Sequence, residues 1–431
     1  MIVKLKFSLT DPSGNVTSTG GATIELRAED IILAPSSGGP INISLRDIES
    51  IQESEYRILM RLRSEMTLTL SGAGFKHDDL VRFLFRASNE LEMKDLLMGE
   101  RLVKQGIPAD AELLSPSKSE SLGRCEVRLY ETAILVMPER RGLVRLRLRD
   151  MVSAEISDFV LSVTMESGEV LRLIKLGREL DPLRIGIVDT AKDILSSAQA
   201  MVRDAYPQGD MVGVLRVAEM LKDGKTAKLD ELERSCPGIW GSLEMALAGR
   251  GLGEEYAFLK SRSRQDLIRI GMKRPLHAEE AKDYMFFLAP IFSSDRKQGG
   301  NAIAFEASSE EGEGRATYFF RAWGREEYRR VGEEGMSSHA DAVCQRIAIG
   351  LEAINFRREP VYLSEEALHA PEKSSYRYAI QRIPQLRLLR ERFIGRVVHT
   401  SPEQWRQDID SLLEFNTAAI GDSAVWRKAD E

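Results

Sequence analysis

The chain has 431 residues, 43% of them hydrophobic and 29% charged, a length that suggests about two to four domains and a balance that excludes a disordered chain. Sixty Lys and Arg against 67 Asp and Glu leave a net charge of −7, which excludes a basic nucleic-acid protein as a description of the whole chain. Three widely separated cysteines, Cys125, Cys236 and Cys344, offer neither a disulfide framework nor metal-ligand spacing. No apolar run is long enough for a leader or a membrane span, so the expected setting is cytoplasmic.

The first elements in chain order form an internal repeat. Sliding the sequence by 103 positions places Pro35 on Pro138, Gly39 on Gly142, Leu45-Arg46-Asp47 on Leu148-Arg149-Asp150, Leu68 on Leu171, Gly74 on Gly177 and Leu80 on Leu183. The register holds without a gap from Gly20 to Leu80. Within each copy apolar residues alternate with polar ones, as in Ile41, Ile43 and Leu45 or Val144, Leu146 and Leu148, the signature of half-buried strands. Both copies then change to helical spacing, at Leu80, Leu84, Ala87 and Leu91 and at Leu183, Ile187, Ala191 and Leu195. Six or seven short strands closed by one helix is the element order of a pleckstrin-homology (PH)-like domain. A β-sandwich with a trailing helix is the alternative. The expected limits are residues 1–110 for the first copy and 119–206 for the second.

Beyond Tyr206-Pro207 the periodicity predicts three short helices, over Met211–Leu221, Leu229–Arg234 and Ile239–Leu247, and then a hairpin over Tyr256–Ile270. That order suggests a winged-helix-like module over 209–275. Its third helix carries only Glu244, the wrong sign for DNA, whereas Lys260, Arg262, Arg264 and Arg269 make the expected hairpin basic. From 283 to 421 a separate α+β domain is expected. Its strands are Phe286–Leu288, Ala302–Phe305 and Ala316–Trp323, and an acidic hairpin loop runs over Ser308–Gly314. Its helices are Ala340–Ile354, Tyr376–Val397 interrupted at Pro384, and Pro402–Phe415. The overall expectation is an α+β multidomain protein.

Motifs for chemistry are absent or broken. Gly224-Lys225-Thr226 ends like a phosphate-binding loop, but Glu219 stands where its first glycine belongs. Gly249-Arg250-Gly251-Leu252-Gly253 follows a helix rather than a strand, against a dinucleotide loop. His77, His277, His339, His369 and His399 show no metal-ligand spacing, and Cys344 near His339 reads as a buried thiol. No catalytic residue, cofactor or metal is assigned, and the expectation is not an enzyme.

The candidate partner-binding residues are Arg262 and Arg264, with Arg377, Arg382, Arg387 and Arg390 later in the chain. The later four lie with Arg392 and Arg396 in a stretch opposed by Glu391 alone and interleaved with Tyr376, Tyr378 and Phe393. Arginine pairs with carboxylate or phosphate and stacks on aromatics, which suits an acidic protein surface, RNA or anionic lipid. The competing reading is a solvated helix face paired with acids elsewhere. Lipid is the weakest of these partners, because residues 34–40 carry no charge and Arg140-Arg141 sits beside Glu139.

GATIELRAEDIILAPSSGGPINISLRDIESI, its echo CEVRLYETAILVMPERRGLVRLRLRDMVSAEI and the segment Met211–Arg274 together resemble the archaeal chemotaxis adaptor family called CheF, over residues 1–274. The resemblance implies a non-catalytic adaptor that links a phosphorylated response regulator to the archaellum motor. It carries over no functional residue and does not extend to the C-terminal region. The alternative is a nucleic-acid-binding or transcription-associated protein using the basic hairpin and the arginine-rich stretch.

Overall fold

The structure is a computed structural model that describes residues 1–96, 99–274, 283–293, 299–308, 315–332 and 335–427. The chain forms two compact units, one of residues 1–190 with 374–379 and the other of 191–373 with 380–431. It is α+β, with two seven-stranded antiparallel sheets in the first unit and a six-stranded sheet in the second.

In the first unit, β1 (Ile2–Thr10), β2 (Val16–Leu26), β3 (Asp30–Pro35), β4 (Ile41–Ser44), β5 (Ile48–Ser54), β6 (Arg57–Leu62) and β7 (Thr67–Ser71) lead into α1 (His77–Asp95). The second copy has β8 (Leu102–Ser115), β9 (Lys118–Tyr130), β10 (Ala133–Pro138), β11 (Val144–Arg147), β12 (Met151–Ser157), β13 (Val160–Met165), β14 (Val170–Ile174) and α2 (Leu180–Ala205). The sheets share one order, β4-β3-β2-β1-β7-β6-β5 and β11-β10-β9-β8-β14-β13-β12. The 103-residue offset is kept at the level of backbone geometry. The Leu-Arg-Asp tripeptides form the same 3-10 turn, at Leu45–Asp47 and Leu148–Asp150, and a bulge recurs at Ile48/Ser50 and Met151/Ser153. Left-handed residues recur as Gly20 and Gly123, Glu65 and Gly168, Gly72 and Lys175, and Gly74 and Gly177.

The second copy begins earlier than expected: β8 pairs with β9 and β14, so residues 102–110 belong to the second sheet and not to the first domain. Period-2 burial in β1, β2, β6 and β7 directs Val3, Leu5, Ile24, Leu26, Ile58, Met60, Leu68 and Leu70 inward, and Leu80, Val81 and Leu84 of α1 close over them. β10 differs from its counterpart β3 in being buried at every position, because α1 of the first copy also packs on it. The contact between copies is fixed by polar groups. Arg140 reaches Glu53 and Asp78 at 3.0 Å each, Asn89 donates to the Arg141 carbonyl at 3.0 Å, and Arg128 pairs with Glu90 at 2.5 Å.

The second unit takes in the end of α2, then α3 (Met211–Leu221), β15 (Thr226–Lys228), α4 (Leu229–Ser235), α5 (Ile239–Leu247), α6 (Gly253–Arg262), β16 (Arg269–Lys273) and β17 (Tyr284–Ile291). It continues with β18 (Ala302–Ala307), β19 (Ala316–Arg321), α7 (Arg325–Arg330), α8 (Met336–Ala353), α9 (Glu359–Tyr362) and α10 (Glu365–Leu368). The last elements are α11 (Ser374–Arg382), α12 (Pro384–Arg392), β20 (Phe393–Val398) and α13 (Pro402–Ala418). The sheet runs β15-β16-β17-β18-β19-β20. β17, β18 and β19 are buried on both faces, which explains their continuous apolar runs. Met285, Phe287 and Ala289 meet α3 to α6 and α13 on one face, while Phe286 and Phe305 meet Phe356 on the other.

Three expectations change here. The hairpin over Tyr256–Ile270 is not formed: residues 253–262 are helical, since Tyr256 and Leu259, three apart, are buried together. The strands that do pair are β16 and β17, and the segment joining them includes residues 275–282, outside the described residues. The boundary expected at 275–283 therefore falls between two hydrogen-bonded neighbours in one sheet, and the α+β region is not separate. Residues 393–398, expected to be helical, form β20 on β19. The acidic loop over Ser308–Gly314 lies almost wholly outside the described residues.

Candidate functional site

Two hairpin tips in the first unit combine strain and exposure. The β5–β6 turn is Glu55-Tyr56 with φ of 51° and 59°, and the β12–β13 turn is Asp158-Phe159 with φ of 49° and 61°. Two central residues at positive φ make the turn that favours Asn-Gly, because side chains with a Cβ are crowded there. Both copies nevertheless hold a carboxylate followed by an aromatic, and the aromatic is 79% exposed at Tyr56 and 84% at Phe159. The Tyr56 ring lies edge-on to His77 at 5.6 Å, and His77 Nε2 lies 3.0 Å from Glu53. Phe75, two residues before His77, is fully exposed. Folding does not require these choices, so Phe159→Gly is expected to raise stability by about 0.5–1 kcal/mol, read as a higher midpoint in denaturant. A lower midpoint would mean that Phe159 has a packing role.

The candidate arginines are mostly engaged within the protein. Arg262 pairs with Asp410 at 2.8 Å and its guanidinium lies 4.6 Å from the Phe258 ring centre. Arg264 is 3.5 Å from Asp266 and 5.4 Å from the Phe292 ring centre. Arg390 donates to the carbonyls of Pro360 at 2.7 Å and Leu363 at 2.9 Å and to Glu365 at 2.7 Å. Arg392 donates to the carbonyls of Arg321 at 3.0 Å and Ala322 at 2.8 Å, and Arg396 lies 4.2 Å from the Tyr362 ring centre. Arg377 has a buried Nε, Arg382 is half-buried, and Arg387 is exposed on α12. The two groups do not converge. Arg262 stands on α6 beside α13, and Arg390 on α12 beside α9 and α10. Lys260, also expected on the basic hairpin, instead joins Tyr256 and Trp240 on the carboxylate of Glu244.

A second cluster centres on His399. Its Nδ1 is 3.3 Å from Glu255 and its Nε2 3.0 Å from Glu306, while Arg315 pairs with Glu255 at 3.0 Å. Trp405 donates to Thr317 Oγ1 at 2.9 Å, Thr317 donates to Glu306, and the His399 and Trp405 rings lie 5.2 Å apart. Burial alone would depress the imidazole, but the two carboxylates outweigh it and hold His399 at about 9, against 6.5 for a free histidine. The folded protein thus binds the proton more tightly than the unfolded chain. The resulting stabilisation is complete below pH 6.5 and is lost as pH rises toward 9. Its size is on the order of 3 kcal/mol. His399→Gln is expected to abolish that dependence in unfolding measured from pH 6 to 9.5; an unaltered slope would locate the proton elsewhere.

The three cysteines are buried. Burial, helped by Asp110 and Glu139, pushes the Cys125 thiol up to about 12, and burial also raises Cys236 and Cys344, so all three are poor nucleophiles at neutral pH. His339 stacks on Trp323 at 4.9 Å with Nε2 3.0 Å from the Ala322 carbonyl. No known protein family matches this chain, and no curated protein is significantly similar to it. The hairpin tips were not singled out from the sequence, although the 103-residue shift that lays Glu55-Tyr56 on Asp158-Phe159 is the signal that would have found them.

Proposed function

We propose that this chain is a non-catalytic adaptor built on two tandem PH-like domains, whose protein partner docks on the two acid–aromatic hairpin tips. The observation that carries the reading is the recurrence of those tips. The two copies have diverged at most positions, yet both keep a strained, exposed aromatic where the turn itself favours glycine. Exposed Tyr and Phe are anchors of protein interfaces, burying a large area at a small entropic cost. The sheet order, with one helix closing each copy, supports the PH-like reading, and α3-β15-α4-α5-α6-β16-β17 supports a winged-helix-like module that is continuous with the rest of its sheet.

In keeping with the resemblance to CheF adaptors over residues 1–274, the partner is a chemotaxis response regulator or a component of the archaellum motor, and the protein acts in the cytoplasm. The nucleic-acid alternative is weakened by the engagement of Arg262, Arg264 and Arg390 and by a third helix whose one charge is Glu244. Full-length chain mixed with the response regulator in its phosphorylated and unphosphorylated forms should elute as a complex on gel filtration, with the phosphorylated form favoured. Elution as separate species in both states, and equally with motor components, would end the chemotaxis assignment.

A further inference from the structure

The segment after α13 is fastened to the outer strand of the six-stranded sheet by a set of contacts resembling peptide recognition. Trp426 N donates to the carbonyl of Ile394 in β20 at 2.7 Å, and β20 ends the sheet. The Trp426 side chain packs against the core, and Gly395 leaves it room: a Cβ there would come within 3.2 Å of Trp426 Cβ. Four residues earlier, the Asp422 carboxylate accepts from Arg321 at 2.9 Å and from the Arg325 backbone N–H at 2.9 Å. Arg325 also donates to the carbonyls of Asn416 at 3.0 Å, Ala424 at 2.9 Å and Gly421, and Arg321 to those of Asp422 and Glu391. Arg329 reaches the carbonyl of Ala419 at 2.9 Å.

Two features distinguish this segment from an ordinary chain end. Its side chains other than Trp426 are largely in water: Ile420, Gly421, Asp422, Ser423 and Val425 are all exposed. It is therefore held by backbone, charge and the single ring of Trp426. The groove beneath it also has an excess of positive charge. Arg321 and Arg325 are buried and Arg392 is half-buried, and carbonyl oxygens rather than carboxylates satisfy most of their donors. Burial lowers the pKa of all three; Arg321 and Arg329 lower that of Arg325 further, and Arg346 and Arg321 that of Arg392, while Asp422, Glu391 and Glu327 only partly offset this. A segment that turns a carboxylate and its own backbone carbonyls toward these arginines and sets one N–H on β20 answers both features, through charge-assisted bonds from arginine.

We propose that residues 419–426 are an internal pseudo-ligand, and that the groove formed by β20, Arg321 and Arg325 is a binding site for a turn-forming peptide segment that carries a carboxylate with an aromatic residue four positions after it. Such a peptide on a partner protein displaces the segment and takes its place beside β20. This site is independent of the hairpin tips and of the adaptor reading.

The test uses the full chain carrying Asp422→Asn and Trp426→Ala, which weaken the internal segment but leave Arg321 and Arg325 in place. The probe is a fluorescent synthetic peptide of residues 419–427. Saturable binding to the double variant, at least about tenfold tighter than to the unaltered chain, is expected, and replacing the probe's aspartate by asparagine should weaken it by about tenfold. Absence of saturable binding to a folded double variant would overturn the proposal, as would equal binding of the two probes. If the double variant does not fold, Asp422→Asn alone serves: the proposal requires tighter probe binding than by the unaltered chain, and equal affinity contradicts it.

Discussion

Asp341→Ala is expected to destabilise the second unit by about 3–5 kcal/mol, the usual cost of stranding a buried charge. Arg269, 2% exposed, places Nε at 3.0 Å and Nη2 at 2.8 Å from Asp341, and Lys228 reaches the other carboxylate oxygen at 3.1 Å. Lys228 and Arg269 are directly opposite one another in the β15–β16 pair, an arrangement of like charges that is unfavourable without an acid between them. Asp341, from α8, supplies that acid and pins the helix to the sheet edge. Without it Arg269 keeps the Thr226 carbonyl at 3.3 Å and Glu231 at 3.8 Å, too little for a charge so far from water. Denaturant unfolding of the full chain followed by tryptophan fluorescence would measure the loss. A cost below about 1 kcal/mol would mean that Glu231 moves in to replace Asp341.

Gly271→Ala is expected to be damaging for a steric reason. A Cβ at position 271 would lie 2.2 Å from the Cζ of Phe286, its partner across the β16–β17 pair. Phe286 is fully buried against Phe356 at 4.8 Å and Phe305 at 5.9 Å between ring centres, so it has no direction in which to retreat. Overpacking of this kind costs about 1–3 kcal/mol or more. Phe286→Leu in the Gly271→Ala background should recover part of the loss, as coupled neighbours do. Strictly additive losses would place the strain elsewhere.

How much of this was readable beforehand depended on whether a pattern had a second instance. The first unit was legible because each copy checks the other: Ile41–Ser44 and Val144–Arg147 are the same strand 103 residues apart, and the Leu-Arg-Asp turns recur in place. The segment 253–262 had no such check. Tyr256, Phe258 and Leu259 fit a short strand as well as one face of a ten-residue helix, and periodicity cannot separate the two at that length. The glycine-rich stretch before this segment is a five-residue π turn, Ala248–Leu252, that carries the chain from α5 directly into α6. The polar interval after Lys273 looked like a domain boundary, although β16 and β17 on its two sides are neighbours in one sheet. Arginine was the hardest to read, because composition does not reveal whether a guanidinium faces solvent or a carbonyl. Arg390 and Arg392 meet carbonyls, and Arg387 meets water.

The hairpin tips are the most direct test of the adaptor reading, because stability and partner binding should move in opposite directions there. The measurement is the affinity of the phosphorylated response regulator for the full chain and for its Tyr56→Gly, Phe159→Gly double variant, with the unfolding midpoint of each. The account predicts a double variant at least as stable as the unaltered chain whose affinity is lower by at least about 2 kcal/mol, a roughly thirtyfold loss typical of removing interface anchors. Unchanged affinity in an equally stable double variant would contradict the claim that the tips are the docking surface.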